Sequence, residues 1–87
     1  MTYSEAIIKR ISELWDERNI TLNKLATLSG IRQSTLENIM KGNSKNPNLR
    51  TLHRIALGLD MRVCELLDFP EMDNTLFDDE WLGQSSV

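Results

Sequence analysis

The sequence predicts an all-α fold, a compact five-helix domain followed by an acidic C-terminal tail. Three observations lead there. Apolar residues between Ile7 and Phe69 recur at three- and four-residue spacing, and no segment alternates for long enough to compete as a strand. Gly30, Gly42, Pro47 and Pro70 interrupt that spacing and divide it into short helices. At 87 residues the chain suffices for one core plus a tail and is too short for a second core.

Thr2 followed by Glu5 reads as a capping box, and Ile7, Ile8, Ile11, Leu14 and Trp15 then mark one face, so helix 1 is expected from about Tyr3 to Arg18. Asn19 can close it in a left-handed conformation. Thr21 can cap a second helix, whose apolar stripe is Leu22, Leu25, Ala26 and Leu28 and which stops at Gly30. Gly30 tolerates positive φ, so the chain can turn sharply there, and Ile31 plugs the junction. Ser34, Thr35, Leu36, Ile39 and Met40 resume helical spacing, giving helix 3 over about Gln33 to Lys41, ended by Gly42. The stretch Asn43-Ser44-Lys45-Asn46-Pro47-Asn48 is a loop by composition. Leu49, Leu52, Ile55, Ala56 and Leu59 define helix 4, closing at Gly58 or Asp60. Val63, Leu66, Leu67 and Phe69 define a short helix 5, broken by Pro70. The expected division is a domain over residues 1–69 and an acidic tail over 70–87.

With 40% hydrophobic and 26% charged residues the composition is that of an ordinary globular protein. No apolar run approaches the roughly 20 residues of a spanning helix, and Met1 to Arg10 lacks the layout of a signal peptide, so a cytoplasmic protein with no membrane partner is expected. Cys64 is the only cysteine and His53 the only histidine. Neither a disulfide framework nor a metal cluster can be assembled from them, so no metal and no cofactor is expected. Cys64 reads as a small buried or interface hydrophobe and His53 as a surface or packing residue.

The net charge of −3 looks wrong for a nucleic-acid binder, but the average conceals a division. Residues 1–68 hold all 10 bases against 8 acids, a balance of +2, whereas residues 69–87 hold five acids and no base. The acidity belongs to the tail. Where the cations lie on the folded surface decides their use.

The stretch from Leu22 to Lys41 carries the most information. A short helix with small Ala26, then Gly30, then apolar Ile31, Leu36 and Ile39 supplies what two steeply crossed helices need: a small residue at the crossing, a glycine in the turn and anchors on both sides. The third helix is then held proud of the surface, where its polar face can enter a major groove. Thr21-Leu22-Asn23-Lys24-Leu25-Ala26-Thr27-Leu28-Ser29-Gly30-Ile31, with Leu36 to Gly42 and helices 4 and 5, resembles the Cro/CI-type (XRE) helix-turn-helix family over about residues 5–68. That resemblance implies a lambda-repressor-like domain whose helix-turn-helix is helices 2 and 3. It also implies that bases are read from Arg32, Gln33, Ser34 and Asn38, with Thr35 and Lys41 flanking. Phosphates are expected at the amide end of helix 2, around Thr21, Leu22, Asn23 and Lys24, and at the loop residues Asn43, Lys45 and Asn46. Arg suits guanine, and Gln and Asn suit adenine.

One departure from the family stands out. Many members hold an Arg late in helix 1 and a Glu at the end of helix 3 as an ion pair, where this chain has Trp15 and Met40. Direct contact between Trp15 and Met40 is expected, since packed apolar groups replace such pairs at little or no cost.

These readings lead to a sequence-specific regulator that inserts helix 3 into the major groove of a pseudo-palindromic operator in double-stranded DNA, as a homodimer whose dimer surface is helix 5 and Phe69. The alternative is an antitoxin-like or adaptor protein whose tail, with Phe69, Leu76, Phe77, Trp81 and Leu82 among its acids, binds a partner protein. The tail can also fold back on the domain. An enzyme has little support, because no catalytic constellation can be assembled from the lone His53 and Cys64.

Overall fold

The computed structural model describes residues 2–44 and 46–74, and every regular element among them is helical. The order is α1 (Tyr3–Glu17), α2 (Leu22–Ser29), α3 (Gln33–Met40), α4 (Leu49–Gly58), α5 (Val63–Leu66) and α6 (Pro70–Asp73). None is long and apolar enough to cross a membrane.

Local chemistry accounts for the starts. Thr2 and Glu5 form the reciprocal capping box, Thr2 N–H donating to Glu5 Oε1 at 2.8 Å and Glu5 N–H to Thr2 Oγ1 at 3.3 Å. The Thr2 backbone N–H, and then its hydroxyl, hold the Glu5 carboxyl below its usual range. Thr21 caps α2 through Lys24 N–H at 3.2 Å, and Asn48 caps α4 through Thr51 N–H at 2.8 Å.

The stops share one device. Each of the first four helices ends on a left-handed residue, Asn19 (φ 53°), Gly30 (φ 68°), Gly42 (φ 80°) and Asp60 (φ 59°). In each case the next residue's N–H bonds back five positions: Ile20 to Trp15, Ile31 to Ala26, Asn43 to Asn38, and Met61 to Ala56, at 2.9 to 3.1 Å. These are Schellman closures. Ile20, Ile31 and Met61 then pack against the core, as such closures favour. Asn43 is the exception, polar and exposed.

The core is built from Ile7, Ile11 and Leu14 of α1, Leu25 and Ala26 of α2, Leu36 and Ile39 of α3, Leu52, Ile55 and Ala56 of α4, with Leu59 and Leu66. Each large side chain buried there contributes about 1.5–3 kcal/mol relative to exposure. α2 packs most extensively on α4, which also meets α5, while α1 meets α3 and α6. Trp15 and Met40 are each half-buried against this core.

Four expectations need correction. Leu28, assigned to the inward stripe of helix 2, is 49% exposed, while Ser29 is 4% exposed. The buried face follows 22, 25, 26 and 29, the helical series of one, four, five and eight, and Leu28 lies off it. Leu49, counted in the stripe of helix 4, is 65% exposed, because it stands at the first position of α4, outside the packed turns. Cys64 is exposed in the protomer, so of its two expected placements, buried or at an interface, only burial is set aside. Helix 5, expected to include Leu67 and Phe69 and to be broken by Pro70, closes at Leu66, and Pro70 instead starts α6, where proline's missing N–H costs nothing, so six helices are described where five were expected.

α6 lies against α1. Lys9 Nζ reaches Glu71 Oε2 at 2.9 Å and Glu13 Oε2 at 3.1 Å, and Met72 packs on the core. These bonds raise the Lys9 ammonium above its ordinary pKa, Glu71 being the larger cause, and hold the Glu71 carboxyl below its own. Arg10 donates to the carbonyls of Leu66 (3.1 Å) and Glu65 (2.7 Å), with its guanidinium 5.3 Å from the centre of the Phe69 ring. Arg18 donates to Leu59 O at 2.8 Å and Leu14 O at 3.2 Å. Two arginines are therefore spent joining α1 to the far end of the fold. Phe69, expected to face a second copy, is engaged within the protomer. Expectations about Leu76, Phe77, Trp81 and Leu82, and about Lys45, lie outside the described residues.

Candidate nucleic-acid interface

α2 and α3 are joined by Gly30, Ile31 and Arg32, a turn that α4 supports from below. Gly58 of α4 approaches α2 so closely that a Cβ there would meet the Ser29 hydroxyl and come within 2.9 Å of Ser29 N. Only glycine permits that approach. The Arg54 guanidinium covers the turn itself, with Nη1 3.3 Å from where a Gly30 Cβ would stand.

Held this way, α3 has two distinct sides. Leu36 and Ile39 are buried, whereas Arg32, Gln33, Ser34, Asn38 and Lys41 are exposed or nearly so and Thr35 is half-buried. Arg32 occupies the cap position of α3 without spending its side chain on a capping bond. The first turn of α3 thus presents amide, hydroxyl and guanidinium groups to solvent. Asn38 is partly engaged: its carbonyl accepts from Asn43 N (2.9 Å) and Ser44 N (3.2 Å), and its Oδ1 lies 3.5 Å from Asn43 Nδ2. That last bond is at the limit of useful length, so the side chain is lightly held.

At the start of α2, Asn23 and Lys24 are exposed, Leu22 is half-buried, and the Thr21 hydroxyl is committed to its cap. Asn43 and Asn46 are exposed on the loop after α3.

The structure adds residues that the sequence pattern alone does not single out. Two hollows share Thr35, Asn48 and Thr51 and form one strip between α3 and the start of α4. Arg32, Arg50 and Arg54 line it. Lys24, Arg32, Lys41, Arg50 and Arg54 make no ion pair among the described residues, while Lys9, Arg18 and Arg62 are paired with acids. A signal for this is present in the sequence: residues 19–59 carry six of the ten bases and a single acid, Glu37. The charge balance over residues 1–68 conceals it, because the acids of that span gather at its two ends. Together with the α4 N-terminus, whose amide end favours anions, the strip offers cations and donors in a shape suited to a phosphate backbone. Among the described residues no cluster of three or more His, Cys, Asp or Glu could hold a metal.

Comparison with known proteins places this geometry. The HTH-type transcriptional regulator SinR of Bacillus subtilis (strain 168) is 33% identical over 76 residues, covering 84% of this chain and 68% of SinR. The SPbeta prophage-derived uncharacterized HTH-type transcriptional regulator YopS of the same organism is 34% identical over 59 residues, 68% of this chain and 80% of YopS. Among solved structures, the prophage Lp1 protein 11 superposes with a TM-score of 0.74 at 33% identity, covering 83% of this chain and 95% of that one. Residues 10–71 match the Cro/C1-type HTH DNA-binding domain family, which takes in the turn, α3, the cationic strip and the start of α6. The chain belongs to the Cro/C1-type helix-turn-helix DNA-binding domain family.

Proposed function

We propose that this chain is a sequence-specific transcriptional regulator that seats α3 in the major groove of a pseudo-palindromic operator and acts as a homodimer. The observation that carries the reading is the two-sided α3, anchored by Leu36 and Ile39 and exposing Gln33, Ser34 and Asn38 beside five cations that make no ion pair among the described residues. Arg32, Gln33, Ser34 and Asn38 read base edges. Lys24, Lys41, Asn43, Lys45, Asn46, Arg50 and the α2 and α4 amide ends hold phosphates and set register. The regulator works in the cytoplasm, where its DNA lies, and needs no cofactor or catalytic step.

Two copies bind half-sites about one helical turn apart. Phe69 and Leu66 are used within the protomer, so the surface left for a partner copy is Leu57, 64% exposed, beside Met61, Asp60, Arg62 and Glu65. Charges of both signs there let the patch face itself across a two-fold axis.

Selection of bound sequences from a random duplex pool tests the reading. An inverted repeat should be enriched, and Gln33→Ala or Asn38→Ala should relax particular positions, each lost bidentate contact costing about 1–3 kcal/mol of discrimination. Arg50→Ala should weaken binding to all sequences alike and lower the salt slope by about 1. Leu57→Glu should leave the chain monomeric. Absence of enrichment at low salt would overturn the regulator reading in favour of a protein-binding adaptor.

A further inference from the structure

Glu37 is the single acid in residues 19–59, and it stands on α3 itself. It follows Gln33 by four residues and Ser34 by three, and Asn38 comes next, so on the helix surface it borders the residues assigned above to base edges. It is half-buried. An acid there runs against the electrostatics of the site: phosphates repel it, and its carboxylate loses water when α3 enters a groove.

Nothing inside the protomer offsets this. Among the described residues the Glu37 carboxylate makes no hydrogen bond and no ion pair. Lys41 follows by four residues, the favourable order for such a pair on a helix, and still does not close on it. Lys9 and Glu13, at the same spacing on α1, meet at 3.1 Å. The Glu37 carboxylate keeps its acceptor capacity for a donor brought from outside.

We propose that Glu37 is a specificity-determining residue that accepts a hydrogen bond from the exocyclic amine of an adenine or cytosine in the major groove. This rests on the regulator reading above, because it needs α3 in that groove. The chemistry of the groove narrows the choice of base. Guanine shows only the acceptors N7 and O6 there and thymine the acceptor O4, while donors come only from N6 of adenine and N4 of cytosine. An ionised carboxylate is acceptor-only, so an amino base satisfies it and a keto base leaves it desolvated and repelled. Every base pair carries one such amine, on one strand or the other, and Glu37 distinguishes which. Where the amine is missing, the same charge works against binding, which lowers affinity for unrelated duplex and widens the margin between right and wrong sequences.

The experiment is selection of bound duplexes by the full chain and by its isosteric variant Glu37→Gln, followed by fluorescence anisotropy at fixed salt. With the parent, one position of each half-site should favour adenine or cytosine over guanine or thymine. Inverting that base pair moves the amine to the other strand without changing composition, and should weaken binding about fivefold or more, the lower end for a well-made base contact. The amide of Glu37→Gln serves amino and keto bases alike, so with it the inversion should change affinity less than about twofold. Glu37→Ala should flatten the same position, which keeps the test independent of one substitution. Because the carboxylate makes no bond among the described residues, Glu37→Gln should not lower the thermal midpoint, so a changed preference is not a folding defect. An enriched repeat left unchanged at every position by Glu37→Gln would overturn the proposal and leave the regulator reading standing. Absence of enrichment with both chains would overturn the two together.

Discussion

Replacing Gly58 with alanine measures how tightly α2 is seated on α4. Gly58 lies in the last turn of α4 with ordinary helical backbone, so by propensity alone alanine gains up to about 1 kcal/mol. The tertiary packing opposes this. A Cβ at Gly58 meets the Ser29 hydroxyl and stands 2.9 Å from Ser29 N and 3.1 Å from Ser29 Cα. A hydroxyl can rotate aside, but the backbone atoms move only if α2 moves. Overpacking of this kind costs about 1–3 kcal/mol, and a clash with backbone belongs at the upper end. The expected net loss is about 2 kcal/mol. For a domain of this size that lowers the thermal midpoint by roughly 8–16 °C, read by circular dichroism and matched by urea unfolding. Ser29→Ala in the same background should restore only part of the loss, because the clash with the Ser29 backbone persists. If Gly58→Ala is as stable as the parent or more so, α2 and α4 are not in the close approach described and the reasoning fails.

Further outcomes follow from the same geometry. Ser29→Ala alone should be neutral or stabilising, since its buried hydroxyl has no hydrogen-bond partner and its removal relieves a desolvated polar group; a loss above about 1 kcal/mol in urea unfolding would contradict this. Thr21→Ala removes the acceptor for Lys24 N–H and should cost about 1 kcal/mol, also measured by urea unfolding, while Thr21→Ser should retain most of the cap. The Lys9 and Glu71 pair gives the docking of α6 a defined pH window. Glu71 titrates below its ordinary 4.5 when folded, so its contribution is present above 4.5 and lost as pH falls through the folded value. Lys9 titrates above its ordinary 10.5, so its contribution is complete below 10.5 and lost as pH rises through the folded value. Amide signals of residues 71–74 should therefore shift on acidification, and Glu71→Gln should abolish the acid-side transition. Finally, a double-mutant cycle of Trp15→Ala and Met40→Ala should return a coupling of about 0.5 kcal/mol or more if the two half-buried side chains touch.

Much of the architecture can be read from local chemistry. The Thr2 and Glu5 box, the Thr21 cap, the left-handed stops at Asn19, Gly30 and Gly42, and the spacing of Leu36 and Ile39 are decided within a turn or two of chain, so composition and period suffice to place them. The same is true of the exposed face of α3. Once Leu36 and Ile39 turn inward, Gln33, Ser34 and Asn38 must turn outward. The cationic character of residues 19–59 is equally legible, given the right window.

Tertiary structure alone decided the rest. Leu28 is hydrophobic and faces out while Ser29 is polar and faces in, because α4 sits along the 22, 25, 26 and 29 line of α2 and leaves no room for more than a serine opposite Gly58. Arg10 and Arg18 count as cations in the sequence but are consumed by carbonyls more than forty residues away, whereas Arg50 and Arg54 come to the α2–α3 turn from another helix. Pro70 starts α6, while α5 has already closed at Leu66, and α1 supplies Lys9 and an apolar surface for α6 to rest on. Period and propensity report what each segment does with itself; which cations remain unspent, and which glycine is indispensable, depend on distances between segments that are set only when the helices meet.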